Sequence, residues 1–188
     1  NMRFVPTNCL REGMILGKTI YGKNIERMLV QGTVLDQQYI KGIQRLKYSG
    51  VYIEDDLSKD IEIASVISDT LRIEATRSVK KVFLKSEHSG GHGVKTADIQ
   101  EQIENIVDEL LSNRNMMVNM IDLKSFDNYT YAHSVNVAVL SIIIGISLGF
   151  SRKMLANLGF GAIMHDIGKV FIDKKIINKP GRLTAEEY

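Results

Sequence analysis

The sequence predicts a mostly α-helical α+β protein, in which a small N-terminal α+β module precedes an all-α helical bundle. Short β-branched segments separated by single glycines fill residues 3–56, which is typical of strands joined by tight turns. From Asp98 onward, apolar residues recur with the period of amphipathic helices. The apolar segment Val137–Phe150 is shorter than the about 20 residues that span a membrane, so we expect it to form the central helix of the core.

The composition is that of a soluble globular protein. The chain has 188 residues, of which 44% are hydrophobic and 24% charged. Its net charge of +2 is too small to indicate a nucleic-acid polymer as partner, so any anion must be held by a local site. A single cysteine, Cys9, excludes an internal disulfide and fits a reducing cytosol. The N-terminal residues contain no apolar signal segment, and we therefore expect a cytoplasmic protein with no membrane anchor.

Within the N-terminal module, which we assign to residues 1–60, strands and one helix alternate. The segments "MILGKTIYG" and "RMLVQGTVL" predict strands with glycine turns. In "LDQQYIKGIQRLKYSG", Asp36 stands at an N-cap position and Gly50 is expected to close the helix. One face of this helix carries Ile40, Ile43 and Leu46. The following "VYIED" predicts a further strand.

Residues 61–97 are expected to connect the module to the bundle. The pattern over residues 61–87 predicts one long helix, and the glycines of "SEHSGGHGVKTAD" predict a flexible loop. His88 and His92 lie in this loop with a spacing that would suit metal binding on a helix. Because the glycines disfavour a helix there, we interpret both histidines as structural.

The bundle is expected to occupy residues 98–188. Asp98 and Glu101 have the spacing of a capping box, and "MMVNMIDL" predicts a further helical segment. Ser151 is a plausible N-cap for the last helix, "SRKMLANLGFGAIMHDIGKV". That helix carries a histidine and an aspartate side by side in an apolar context.

This doublet, His165 and Asp166, indicates a metal. A buried, unpaired carboxylate would cost several kcal/mol, and a divalent cation removes that cost while also binding a neutral imidazole. Lys169 lies one helical turn beyond His165. A cation beside metal ligands is unfavourable unless an anion such as phosphate also binds there.

A further ligand candidate is His133, at the start of the preceding helix. Both helices are joined by a short turn near residues 149–151, so they should pack antiparallel. His133 lies 17 residues before Phe150, and His165 lies 14 residues after Ser151. These similar offsets place both histidines at the same end of the hairpin, so that His133, His165 and Asp166 can converge. A purely structural role for the doublet is the alternative.

Two segments resemble a known family. "YTYAHSVNVA" and "HDIGKVFIDKKIINKPGRLTAEEY" are similar to the first half of an HD-GYP domain, a branch of the HD metal-dependent phosphohydrolases. The N-terminal residues resemble a small module often found ahead of such domains. The resemblance implies an HD-type helical bundle, incomplete in this chain, and hydrolysis of the bacterial second messenger cyclic di-GMP at a metal site that usually holds iron or manganese.

The resemblance also implies roles for individual residues. His133, His165 and Asp166 match metal ligands, with Asp166 as the carboxylate that bridges two ions. Lys169 matches the lysine that contacts the substrate phosphate or the attacking hydroxide, so Asp166 and Lys169 are the candidate catalytic residues. Some family members have a glutamate where this chain has Tyr129; its absence favours two divalent ions over three.

The later ligand histidines, the final aspartate and the Gly-Tyr-Pro signature of the family are not in this sequence. We therefore expect the 188-residue chain on its own to bind metal weakly and to be a poor catalyst. Two alternatives remain open: a noncatalytic HD-type signalling or interaction module, and an HD phosphohydrolase that acts on another nucleotide. The N-terminal module could sense a ligand, shield the active site or mediate a homodimer.

Overall fold

The computed structural model describes most of the chain, namely residues 2–22, 25–58, 65–90, 96–113 and 130–188. Its contacts divide the chain into two compact units. The N-terminal unit comprises residues 1–73 together with 113–133, and the helical unit comprises residues 74–112 and 134–188. The observed architecture, a small sheet region followed by helices, confirms the predicted fold class. The division into segments 1–60, 61–97 and 98–188 stays a prediction.

Among its described residues, the N-terminal unit contains two small antiparallel sheets and a helix between their strands. The first sheet has the strand order β1-β5-β2 and the second is the hairpin β3-β4. The elements are β1 (Arg3–Pro6), β2 (Ile15–Leu16), β3 (Ile20–Tyr21), β4 (Arg27–Leu29), helix α1 (Gln37–Arg45) and β5 (Gly50–Glu54).

The core of this unit forms between β5 and the buried face of α1. Strand β5 is central because both β1 and β2 pair with it, placing Arg3 opposite Ile53 and Ile15 opposite Glu54. The buried side chains are Val5, Leu10, Leu16, Ile20, Leu35, Ile40, Ile43, Val51 and Ile53. The predicted N-cap is confirmed, since the carboxylate of Asp36 accepts a 2.8 Å hydrogen bond from the amide of Tyr39.

Gly50 does not end helix α1, contrary to the prediction. The helix ends at Arg45 and the chain turns at Lys47, which has a φ of 58°. Gly50 begins β5, where an added Cβ would lie 2.5 Å from the carbonyl oxygen of Val5 and 2.5 Å from the ring of Phe4. The glycine is therefore required by the close approach of β1, which local sequence does not reveal.

The elements in the remaining described segments are helical. They are α2 (Asp69–Ser89), α3 (Ala97–Ser112), α4 (Thr130–Ser147), α5 (Arg152–Met164), a 3₁₀ turn (Ile167–Phe171) and the short α6 (Lys174–Ile177). Within the described part of the chain, no helix is long and apolar enough to span a membrane. The helix predicted at residues 116–123, together with His92 and Tyr129, lies outside the described residues.

Two predicted helix starts are wrong. Helix α2 begins at Asp69, and the described residues 65–68 that precede it are not helical; residues 61–64 are not described. Helix α3 begins at Ala97, so Asp98 lies within its first turn. The Asp98 carboxylate instead accepts a 2.6 Å hydrogen bond from Lys81, and this contact holds the pKa of Asp98 below its ordinary value.

Helices α4 and α5 pack as the predicted antiparallel hairpin. The N-cap at Ser151 is confirmed, because its hydroxyl accepts from the amide of Met154. An added Cβ at Gly145 would meet Leu155 at 2.7 Å, and one at Gly159 would meet Ile142 at 2.8 Å. Residues at similar distances from the turn on α4 and on α5 therefore face each other. This pairing determines which residues of the two helices meet at the candidate site.

Candidate metal centre

Helix α4 supplies the first candidate ligand. His133 lies in the first turn of this helix. The boundary between the two compact units falls directly after His133, but the helix runs through it without interruption to Ser147. His133 is therefore on the same helix as Ala138, Val139 and Ile142, which are buried and belong to the helical unit.

The other two candidate ligands lie where helix α5 ends, and not inside a continuous helix as predicted. Helix α5 stops at Met164, His165 is its C-cap, and Asp166 adopts φ −102° and ψ 4° before the 3₁₀ turn. His165 keeps helical backbone angles, with φ −53° and ψ −30°, whereas Asp166 departs from them. The segment beyond them is also less buried than its apolar sequence predicts, with Phe171 54% exposed.

The structure brings the three candidates together. His133, His165 and Asp166 each offer one ligand atom, and these atoms lie within 4.8 Å of one another. Among the residues that the structure describes, no other group of three or more His, Cys, Asp or Glu side chains has this geometry. The convergence agrees with the hairpin offsets, whereas the role of these residues as metal ligands stays a prediction.

The hydrogen bond of His165 defines which ring nitrogen faces the cluster. Its Nδ1 lies 2.7 Å from the carbonyl oxygen of Ala162, and a carbonyl can only accept, so Nδ1 carries the proton and donates. In the neutral imidazole, Nε2 then bears a lone pair. Fixing the tautomer through the outer nitrogen is what metal-binding histidines commonly do.

This arrangement makes the cluster fit a cation. His165 Nε2 lies 3.3 Å from Asp166 Oδ2, so a lone pair on nitrogen faces an anionic oxygen. Either a proton on the ring or a metal ion between these atoms removes the repulsion. Two imidazoles and one carboxylate are a donor set suited to first-row divalent ions such as iron, and three protein ligands leave positions for water or substrate.

Lys169 reaches the same carboxylate. Its Nζ donates to Asp166 Oδ2 at 2.6 Å, while 53% of its side chain is exposed, against 14% for that of Asp166. The ammonium therefore lies at the solvent side of the cluster. An anion that approached the three ligands would be attracted by this positive charge.

Sequence reasoning missed the contact that orients His165. The partner is a backbone carbonyl, which every residue carries, so no side-chain pattern could identify Ala162. Among the described residues, His88 is the histidine outside the cluster. Its Nδ1 lies 2.6 Å from the carbonyl oxygen of Leu84. It joins no described ligand cluster.

Comparison with known proteins relates the C-terminal helices to a family. Residues 130–187 match the sequence profile of the HD domain. A cyclic di-GMP phosphodiesterase of Pseudomonas aeruginosa is 34% identical over the whole of this chain, which covers 52% of that protein. A 3'3'-cGAMP-specific phosphodiesterase of Vibrio cholerae is 35% identical over 52% of the chain and 22% of its own length.

A third relative, a cyclic di-GMP phosphodiesterase of Thermotoga maritima, is 34% identical over 58% of the chain and 26% of its own length. The chain thus spans about half the length of the Pseudomonas relative and matches smaller parts of the others. No solved structure matches. The profile match covers all three clustered residues, His133, His165 and Asp166, so the segment that carries the candidate metal centre is similar to the HD domain.

Proposed function

We propose that this chain forms part of a metal-dependent phosphodiesterase that hydrolyses cyclic di-GMP. The observation that carries the proposal is the convergence of His133, His165 and Asp166 within 4.8 Å, in the segment that matches the HD domain. The names of the relatives, which are cyclic di-GMP and cGAMP phosphodiesterases, support a cyclic dinucleotide as substrate. A cytoplasmic location and the formation of a homodimer are further parts of this proposal.

The three side chains would hold the divalent ions; two imidazoles and one carboxylate suit first-row divalent metals in general, and the resemblance to the HD-GYP family is the reason to propose iron or manganese. Such ions supply Lewis acidity toward phosphate oxygens and lower the pKa of water. The chain's own residues position the ligand atoms. The carbonyl of Ala162 holds the His165 ring so that Nε2 faces the cluster, and Asp166 presents its Oδ2 to both His165 and Lys169.

Lys169 is proposed to bind the scissile phosphate. A phosphodiester carries one negative charge, and an ammonium that donates to its oxygens forms a charge-assisted hydrogen bond. Because the ammonium of Lys169 is already 2.6 Å from Asp166, it can exchange that contact for a phosphate oxygen with only a small movement. The same residue would then stabilise negative charge that builds on the phosphate during hydrolysis.

The experiment that tests the site measures metal content first. The protein is loaded with Mn²⁺ and the bound metal is determined by elemental analysis for wild type, His165→Ala and Asp166→Asn, with His88→Ala as the matched control. We expect the two cluster variants to retain much less manganese than wild type, because each lacks a proposed ligand atom, and the control to retain as much as wild type. Equal manganese binding by Asp166→Asn and wild type would contradict the proposed ligand set.

Hydrolysis is measured second, by chromatography of cyclic di-GMP and cGAMP with the longest protein that contains this chain. Lys169→Gln is expected to retain metal but to lower turnover by at least about tenfold, whereas Lys175→Gln, an exposed lysine of α6, is expected to match wild type. Faster cleavage of cGAMP than of cyclic di-GMP would correct the substrate while leaving the site in place.

A further inference from the structure

A groove in the N-terminal unit shares no residue with the candidate metal centre. It lies between helix α1 and the β3-β4 hairpin and encloses about 380 Å³, within the range of small-molecule sites. Its walls are apolar, with Met28 and Leu29 on the hairpin and Tyr39 and Leu46 on the helix. Met28 is 49% exposed and Tyr39 40% exposed, so nothing in the described residues covers these side chains fully.

The floor of the groove is a glycine that packing does not explain. Gly42 lies in the middle of α1 and lines the groove, although glycine is, after proline, the least favourable residue inside a helix. An added Cβ at Gly42 would meet no atom within 4 Å. No contact among the described residues therefore requires glycine here, whereas a side chain at this position would project into the groove and shorten it.

Polar groups mark the two ends of the groove. Gln38 and Arg45 both line it and are seven residues apart on α1, which corresponds to about 10 Å along the helix axis. Arg45 is exposed and forms no ion pair with any residue that the structure describes. A ligand that is complementary to this groove has an apolar body and an anionic group at the Arg45 end.

We propose that this groove binds a small amphipathic carboxylate. The alkyl body lies over Gly42 between Met28 and Tyr39, and the carboxylate accepts hydrogen bonds from the guanidinium of Arg45, whose planar fork suits a carboxylate. The C-terminal end of a helix repels anions, and Arg45 lies in the last turn of α1. Retention of the head group therefore depends on the Arg45 side chain itself.

The test is calorimetric titration of the full 188-residue chain with decanoate and with decanol. Wild type is expected to bind one decanoate saturably. Gly42→Leu fills the floor of the groove and is expected to weaken decanoate binding by at least about tenfold. Since leucine is a better helix former than glycine and its Cβ would meet no atom within 4 Å, this variant should fold, which its circular dichroism spectrum checks.

Arg45→Gln is a second variant, which tests the proposal even if Gly42→Leu does not fold. It changes only an exposed side chain. It is expected to weaken decanoate at least about tenfold and to leave decanol unchanged, whereas Lys41→Gln, on the same helix but outside the groove, leaves both unchanged. His165→Ala should also bind decanoate normally, which separates this site from the proposed metal centre. No saturable decanoate binding, or equal binding by wild type and Arg45→Gln, would overturn the proposal.

Discussion

Replacing one of two glycines of α5 by alanine tests the helix packing that positions His165. Gly159 faces its neighbours closely: an added Cβ would lie 2.8 Å from Cδ1 of Ile142 and 3.1 Å from Cγ2 of Ile103. Gly161, two residues along the same helix, has nothing within 4 Å of an added Cβ. The same substitution at the two positions therefore differs mainly in steric cost.

The expected magnitudes follow from two opposing effects. Alanine raises helix propensity at either position, which stabilises the folded protein by about 1 kcal/mol. At Gly159 the added methyl also displaces two buried side chains, at a cost of about 1–3 kcal/mol. We expect Gly161→Ala to be more stable than wild type, and Gly159→Ala to be less stable than Gly161→Ala by about 1–3 kcal/mol.

Thermal unfolding followed by far-UV circular dichroism measures this difference. In a chain of this size, each kcal/mol lowers the unfolding midpoint of Gly159→Ala relative to Gly161→Ala by about 2–4 °C. A second substitution identifies the atom responsible. Ile142→Val removes Cδ1, the methyl that would lie nearest to the new Cβ, so it should destabilise wild type by about 1 kcal/mol but destabilise Gly159→Ala less. Equal stability of Gly159→Ala and Gly161→Ala would refute the described packing of α5 on α4 and α3.

The remaining predictions concern an ion pair and a helix cap. The guanidinium of Arg152 donates to both carboxylate oxygens of Asp108, at 2.7 and 2.9 Å, and these hydrogen bonds hold the pKa of Asp108 below its ordinary value. A lowered carboxyl pKa stabilises the folded state above about pH 4 and loses that effect as the pH falls through the folded-state pKa. In Arg152→Gln we expect the pKa of Asp108, measured by carboxyl NMR titration, to rise toward its ordinary value; an unchanged pKa would disprove the coupling. Asp36→Ala removes the acceptor for the amide of Tyr39 and should lower the free energy of unfolding by about 1 kcal/mol. Chemical denaturation measures this loss, with Gln44→Ala on the exposed face of α1 as a control that should change stability by less than about 0.5 kcal/mol.

Features that depend on short-range chemistry could be predicted from the sequence. The cap at Asp36 follows from a side chain that reaches an amide three residues away, and the cap at Ser151 has the same basis. The approach of His133 to the His165-Asp166 doublet followed from counting residues on either side of one short turn. Each of these inferences needed only helix geometry.

Features that depend on distant parts of the chain could not be predicted from the sequence. Val66 and Ile67 are buried and therefore continue the apolar pattern of α2, although the helix begins only at Asp69. Apolar periodicity reports burial, and burial does not distinguish the end of a helix from the segment that leads into it. The end of α5 at Met164 was missed for a similar reason, because the apolar residues beyond Asp166 resemble one more helical turn.

The central position of β5 has a consequence for how the N-terminal unit is made. Its two neighbours in the sheet, β1 and β2, both precede it in the chain, and Arg3 pairs with a residue as far along as Ile53. During synthesis β1 has no partner in this sheet until Gly50–Glu54 has emerged, whereas β2 can already pair with Val34 on its other side. The three-stranded sheet therefore forms late and through non-local contacts, which fold slowly. A truncation that ends before Gly50 would leave β1, and the side of β2 that faces β5, as exposed edges that are open to pairing with other chains.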